Sequence, residues 1–343
     1  MNRIAFVSFS WLLVFSLTIF CSCTQAQETG TEKPGLPSAD DTAASRNFEL
    51  VYGGKIKGLT KDSKVRVWLP VAQTTSEQKI TIVDSVLPED VKETAESVHG
   101  NKMKYFEFSV GDSDEFPFEV KYQIERSEIN SLNRESSATL TDAEQARYIE
   151  ANRMVPIDGK PLELLQGVEL PESDLEAARA LYERVDGHME YDKSKPGYGN
   201  GDVLWACDSQ FGNCTDFHSL FISFARSRKI PAHFEIGFPI PRDAREGKIG
   251  GYHCWAKFFV KERGWVPVDI SEADKHPELK QYYFGNLTED RVSFTKGRDL
   301  ILEPKQDGDP LNYFVYPYVE VDGKPLGKEN IELNFQFKDL TSN

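Results

Sequence analysis

Four stretches in the first third of the chain alternate apolar and polar positions with a period of two. They are Val65-Arg66-Val67-Trp68-Leu69, Lys79-Ile80-Thr81-Ile82-Val83, Lys104 to Val110, and Phe116 to Tyr122. Such alternation turns one face of a strand inward, and the turn-rich pieces between them predict a small antiparallel β-sandwich over residues 47–127. The period then becomes helical. Thr141-Asp142-Ala143-Glu144 has the form of a capping box and opens a helix to about Arg153, within a helical connector of residues 128–172. Ser173-Asp174-Leu175-Glu176 repeats the signature, and Leu175, Ala178, Leu181, Tyr182 and Val185 give the following helix one apolar face. A third helix starts after Asn213, with Asp216 placed to reach back to the cap amide. Phe217, Leu220, Phe221 and Phe224 form its core face, and Arg226, Arg228, Lys229 and Pro231 end it. Two aromatic-rich strands follow, Gly250 to Val260 and Trp265 to Ile270, joined at Gly264. Residues 303–343 carry Tyr313 to Val321, an Asp322-Gly323 turn signal and Ile331 to Phe337, which predicts a β-hairpin. The whole reads as α+β.

The beginning of the chain has a different character. Met1-Asn2-Arg3 precedes an almost wholly apolar run from Ile4 to Phe20, the form of an export signal that is too short for a comfortable membrane span. Cleavage after Ala26 fits the small residues there, so residues 1–26 are read as a signal peptide. Lipoprotein processing at Cys23 is the alternative. Residues 27–46 are polar and rich in Gly, Pro, Ser and Thr, and are read as a disordered tether. The expected location is the periplasm, cell envelope or extracellular space. A formal net charge of −15 over 343 residues argues against nucleic acid and anionic membrane surfaces as partners. With 39% hydrophobic and 12% aromatic residues there is ample core material for the two domains that this length suggests.

Candidate chemistry gathers at the third helix. Cys214 falls on its first turn, where the positive end of the helix and unpaired N–H groups favour a thiolate and a nearby oxyanion. His253 lies near the start of the first aromatic strand and Asp269 near the end of the second, so a hairpin would bring them together. Cysteine, histidine and carboxylate in this relation make an acyl-transfer triad. A two-residue turn at Glu262-Arg263 would set His253 opposite Glu272, so a bulge or another turn is needed to deliver Asp269. His218, one turn after Cys214, is a rival base. Trp205 and Gln210, in the long segment before the cysteine, are candidates for lining the cleft or binding the oxyanion. Of five cysteines, Cys207, Cys214 and Cys254 fall in the folded part. If Cys214 is the working thiol, Cys207 and Cys254 form the expected disulfide; three free thiols is the alternative. Neither metal-ligand spacing nor a phosphate-binding glycine loop occurs, so no metal or cofactor is expected.

Gly212-Asn213-Cys214-Thr215-Asp216-Phe217-His218-Ser219-Leu220-Phe221, Ile230-Pro231-Ala232-His233, His253-Cys254-Trp255 and Gly264-Trp265-Val266-Pro267-Val268-Asp269 together resemble the transglutaminase-like family. The resemblance spans residues 173–302. It implies a papain-like fold, preceded in many members by a β-domain, with Cys214 as nucleophile, His253 as base and Asp269 as the orienting carboxylate. His233 stands where Arg is more frequent in the family, at a position without a catalytic role. Cross-linkers, peptidases and proteins of no known activity share these motifs. The expected reaction is acyl transfer or hydrolysis on a protein or peptide substrate. The competing expectations are a catalytically silent binding or assembly module of the envelope and a redox thiol protein, which the lack of Cys-x-x-Cys disfavours.

Overall fold

The computed structural model describes residues 43–340. The expected leader, the lipidation point at Cys23 and most of the expected tether lie outside the described residues. Strand β1 (Ser45–Ile56) already begins inside the stretch read as tether. After it come β2 (Lys64–Pro70), β3 (Gln78–Val86), β4 (Lys92–Ala95), β5 (Lys102–Ser109) and β6 (Phe116–Ser127). In β1, Phe48, Leu50 and Tyr52 alternate inward; in β6, Phe118, Val120, Tyr122 and Ile124 do the same. These residues share one core with Val65, Val67 and Leu69 of β2, so two sheets bury their apolar faces together.

A two-residue strand β7 (Ile129–Asn130) leads to α1 (Asp142–Ile149), where Thr141 and Glu144 form the expected reciprocal cap. The helix ends at Ile149, four residues before the expected Arg153. A single turn, α2 (Lys160–Glu163), precedes α3 (Asp174–Asp186). Ser173 occupies the cap position of α3, but its hydroxyl makes no capping hydrogen bond, unlike the sequence expectation. Next come β8 (Glu190–Tyr191), α4 (Val203–Ser209), β9 (Phe211–Gly212) and α5 (Cys214–Ser227). Every residue of α5 from Cys214 to Arg226 is buried, well beyond the one apolar face read from the sequence. A helix enclosed on all sides is the centre of its domain.

Against α5 lies an antiparallel sheet, and the chain enters it through β10 (Ala232–Pro239). The excursion β11 (Glu246–Lys248) is followed by β12 (His253–Val260), β13 (Gly264–Val268) and the short helix α6 (Ile270–Lys275). β14 (Asn286–Leu287) pairs with β7, and β15 (Arg291–Lys296) completes the four-stranded order β13-β12-β10-β15.

The C-terminal segment does not form the expected hairpin. Asp322-Gly323 joins β16 (Tyr318–Val321) to the two-residue β17 (Lys324–Pro325), and β18 (Ile331–Asp339) crosses to the other sheet. The sandwich sheets run β11-β18-β1-β6-β3 and β17-β16-β2-β5-β4. β1 therefore lies between β6 and β18, and β2 between β5 and β16. Aromatic pairing explains the capture of β18: Phe335 packs 4.8 Å from the ring of Tyr52 and 4.7 Å from that of Phe238. Between Leu300 and Phe314 the chain covers the outer face of the second sheet, where Trp68, Met103 and Tyr105 form a separate apolar cluster. The described residues 43–340 consequently form one unit, and the sandwich, connector, catalytic region and extension expected as successive pieces are interleaved.

Gly237 tests how tightly the four-stranded sheet is closed. It sits at the register shift between β10 and β15, and a Cβ there would lie 1.8 Å from the carbonyl oxygen of Val292. Gly237→Ala should destabilise the protein by about 1–3 kcal/mol or more in chemical denaturation. Gly250→Ala, where a Cβ meets nothing within 4 Å, should change it by less than about 0.5 kcal/mol.

Candidate active site

Cys214 is placed by the start of α5. The Thr215 N–H donates to Asn213 Oδ1 at 2.9 Å, and the Asn213 N–H donates to Asp216 Oδ2 at 3.0 Å, the capping box expected from the sequence. Asp216 also accepts the N–H groups of Gly199 and Gly201 at 2.7 and 2.9 Å, tying the preceding loop to the same helix end. The parallel pairing of Tyr191 with Gly212 steers the chain into Cys214. On the far side, the Tyr252 hydroxyl bridges Asn213 Nδ2 at 3.0 Å and Thr215 Oγ1 at 2.9 Å.

His253 and Asp269 meet through a turn longer than the two-residue one. Val260 pairs with Gly264, so Lys261, Glu262 and Arg263 form a three-residue connection, with Gly264 at φ 74°. Pairing of β12 with β13 ends at Ala256–Val268. Asp269 then leaves the sheet to become the N-cap of α6, and its side chain is freed to turn toward His253. His253 Nε2 lies 2.7 Å from Asp269 Oδ2, which leaves Nδ1 for the Cys214 side. Asp269 is fully buried and also accepts from Arg291 Nη1 at 2.8 Å, from Ser271 Oγ at 3.2 Å and from the Glu272 N–H at 3.2 Å.

These contacts set the charges. Burial opposes ionisation of Cys214, but hydrogen bonds from Cys254 and His253 together with the positive field of His253 hold its thiol well below the usual range. Burial likewise opposes a charged His253, yet the Asp269 carboxylate and Cys214 raise it to about 10. Asp269 itself is held well below the usual carboxylate range, against burial, by His253 and Arg291. Between the lowered thiol and the raised imidazole the favoured pair is thiolate and imidazolium.

His218 is also brought close, but its ring is occupied. Its Nε2 accepts the Ile270 N–H at 3.0 Å, its Nδ1 lies 3.8 Å from Cys254 Sγ, and burial lowers its pKa to about 4. A neutral imidazole fastened to backbone joins α5 to α6. Trp205 packs on Phe211 with ring centroids 5.2 Å apart, and Gln210 is an exposed residue with φ 59° that ends α4. Among the described residues neither makes a hydrogen bond to Cys214, His253 or Asp269.

The expected Cys207–Cys254 disulfide is absent, and both thiols are free and buried. Their surroundings differ. Cys207 lies on α4 near Lys160, while Cys254 Sγ lies 3.8 Å from Thr215 Oγ1 beside Cys214. Arg291 and Tyr252 belong to the site and were not among the sequence candidates. Tyr252 adjoins His253 in the quoted motif, so its neighbourhood was a usable signal. Arg291 stands 22 residues from Asp269 with no local pattern to mark it.

Arg291→Ala should strip a buried carboxylate of its guanidinium and cost about 3–5 kcal/mol, read by denaturant titration. Arg291→Lys should recover part of that loss.

Residues 163–270 match the family model of the transglutaminase-like superfamily. An uncharacterized protein of Haemophilus influenzae is 31% identical over 212 residues, which cover 52% of this chain and 58% of that protein. Among solved structures, a candidate cysteine protease from Cytophaga hutchinsonii is similar over 88% of this chain and 92% of its own, with a TM-score of 0.57 and 14% identity. The periplasmic domain of TgpA from Pseudomonas aeruginosa is similar over 70% of this chain and 91% of its own, with a TM-score of 0.36 and 14% identity. The matched segment runs from the last residue of α2 to the first of α6 and contains Cys214, His253 and Asp269. Residues 163–270 are a transglutaminase-like domain in an α+β, papain-like fold.

Proposed function

We propose that this chain is an exported cysteine acyltransferase or hydrolase acting on peptide or carboxamide bonds. The observation that carries the reading is the 2.7 Å contact of Asp269 with the imidazole of His253, whose charge acts on a thiol on the first turn of a buried helix. The Cys214 thiolate attacks the carbonyl carbon, and the C–O pair moves onto oxygen. N–H groups at the start of α5 are the available donors for that oxyanion. Collapse breaks the C–N bond, His253 gives its proton to the departing amine, and a thioester remains on Cys214. Water or a second amine then attacks, loses a proton to His253 and regenerates the thiolate. Asp269 fixes the ring and its charge, and Arg291 fixes Asp269. No helix among the described residues is long and apolar enough to cross a membrane. The proposal of export rests on the charged start and apolar run of the first 20 residues.

A second reading, a binding or assembly module without turnover, is favoured by one observation. Cys214 is only 3% and His253 only 7% exposed, so a substrate needs the cleft to open. Mass spectrometry of the full chain with peptide and amine donors separates the two. An acyl adduct on Cys214, passed to amine or water, supports the enzyme. A thiol that alkylates yet never acquires an acyl group from any donor supports the module.

The charge state gives a pH prediction. The thiolate–imidazolium pair exists above the lowered pKa of Cys214 and is lost as pH rises through about 10, where His253 gives up its proton. Iodoacetamide should therefore modify Cys214 well below pH 8.5, roughly the value for an ordinary thiol. His253→Ala should move the profile upward. Asp269→Asn should leave the thiol reactive and slow turnover. His218→Ala should leave the profile in place while lowering stability by about 1–3 kcal/mol through the orphaned Ile270 N–H. A profile moved by His218→Ala and not by His253→Ala would reverse the assignment of the base.

A further inference from the structure

A cavity of about 230 Å³ lies in the seam where the loop before β3, the end of β6 and the β10–β12–β15 sheet meet. Glu77, Gln78, Arg126, Glu235, Lys257 and Lys296 contribute to its wall, while Cys214, His253 and Asp269 do not line it. Arg126 is the unusual member. It is 2% exposed, yet its side-chain hydrogen bond among the described residues is a long one, from Nη1 to Gln78 Oε1 at 3.3 Å. Its Nε is buried with no acceptor, and no carboxylate pairs with it among the described residues. A guanidinium withdrawn from water and held by one long hydrogen bond is costly, so the fold retains an unfilled demand for an acceptor at Nε.

The nearby carboxylates are committed elsewhere. Glu235 accepts from Trp255 Nε1 at 2.8 Å and lies 3.0 Å from His233 Nε2 and 3.2 Å from Lys257 Nζ. Glu77 is 3.6 Å from the same lysine and is held by Thr75. Burial keeps His99 and His233 neutral by lowering both. Glu77 and Glu235 then balance Lys257 and Arg126, and half-buried Lys296 leaves one positive charge over. We propose that this cavity binds a small monocarboxylate, its two oxygens forked on the Arg126 guanidinium. The planar fork of arginine matches a carboxylate in two parallel hydrogen bonds. The two carboxylates in the wall disfavour a dianion, which selects against phosphate.

The test uses the full chain and needs no assay of catalysis. Calorimetric titration with acetate and propionate in chloride buffer should give saturable one-site binding, with Kd in the range of about 0.1–10 mM for ligands this small. Arg126→Lys should weaken it about 10- to 100-fold. In the unaltered protein labelled with ¹⁵N-arginine, the Arg126 Nε–H resonance should shift with the same midpoint, which keeps the test valid if the variant does not fold. Absence of both heat and shift well above that concentration range overturns the proposal. Equal binding by Arg126→Lys overturns the role of the fork, and tighter binding of inorganic phosphate than of propionate overturns the monoanion.

Discussion

Everything at this site depends on one buried negative charge. Asp269 has no exposed surface, and a lone carboxylate in that position would be neutral. It stays ionised because His253, Arg291, Ser271 and the first turn of α6 each direct a donor at it. Those donors come from three places in the chain, β12, β15 and α6 itself. His218 of α5, its Nε2 3.8 Å from the carboxylate, holds the neighbouring Ile270 N–H. The carboxylate that orients the imidazole is thus also the point at which the central helix, the sheet and α6 are joined. Removing any one partner changes the electrostatics of the thiol and the packing of the helix together.

The position of Asp269 also explains how much of the site could be read in advance. Motif spacing identified Cys214, His253 and Asp269, and the capping box of Asn213 and Asp216 placed the cysteine on a helix start, because both are local properties of the chain. The hairpin register was not legible. A three-residue turn and an early end to the β12–β13 ladder depend on where α6 begins, and Asp269 starts that helix by capping it. Arg291 was invisible for a related reason, since its partner is chosen by the sheet order β10-β15 and not by its neighbours in sequence.

The sandwich shows the same division at larger scale. Alternation in β2 and β6 was plain in the sequence and is present in the strands, whereas β3, at the edge of its sheet, leaves both Ile82 and Val83 exposed. What alternation cannot specify is which strands are neighbours. The Asp322-Gly323 turn was recognised, yet β18 pairs with β1 and not with the strand before that turn, because its aromatic residues fit against Tyr52 and Phe238. The odd cysteine count likewise suggested a bridge, whereas the fold sets Cys207 on α4 and Cys254 against Thr215, each buried as a thiol.

The insertion of β18 beside β1 and of β16 beside β2 has a consequence for the order of assembly. The register of β1 with β18 joins Phe48 to Asp339, positions almost three hundred residues apart. As a ribosome makes the chain, β1 and β2 each keep an open edge until β16 and β18 have emerged, because loop closure must precede those contacts. The enclosing of α5 does not wait in the same way, since α3, α4, β10 and β12 are its neighbours in sequence as well as in space. The domain that holds the thiol is therefore built from near contacts, and the sandwich from pairings between strands far apart in the chain.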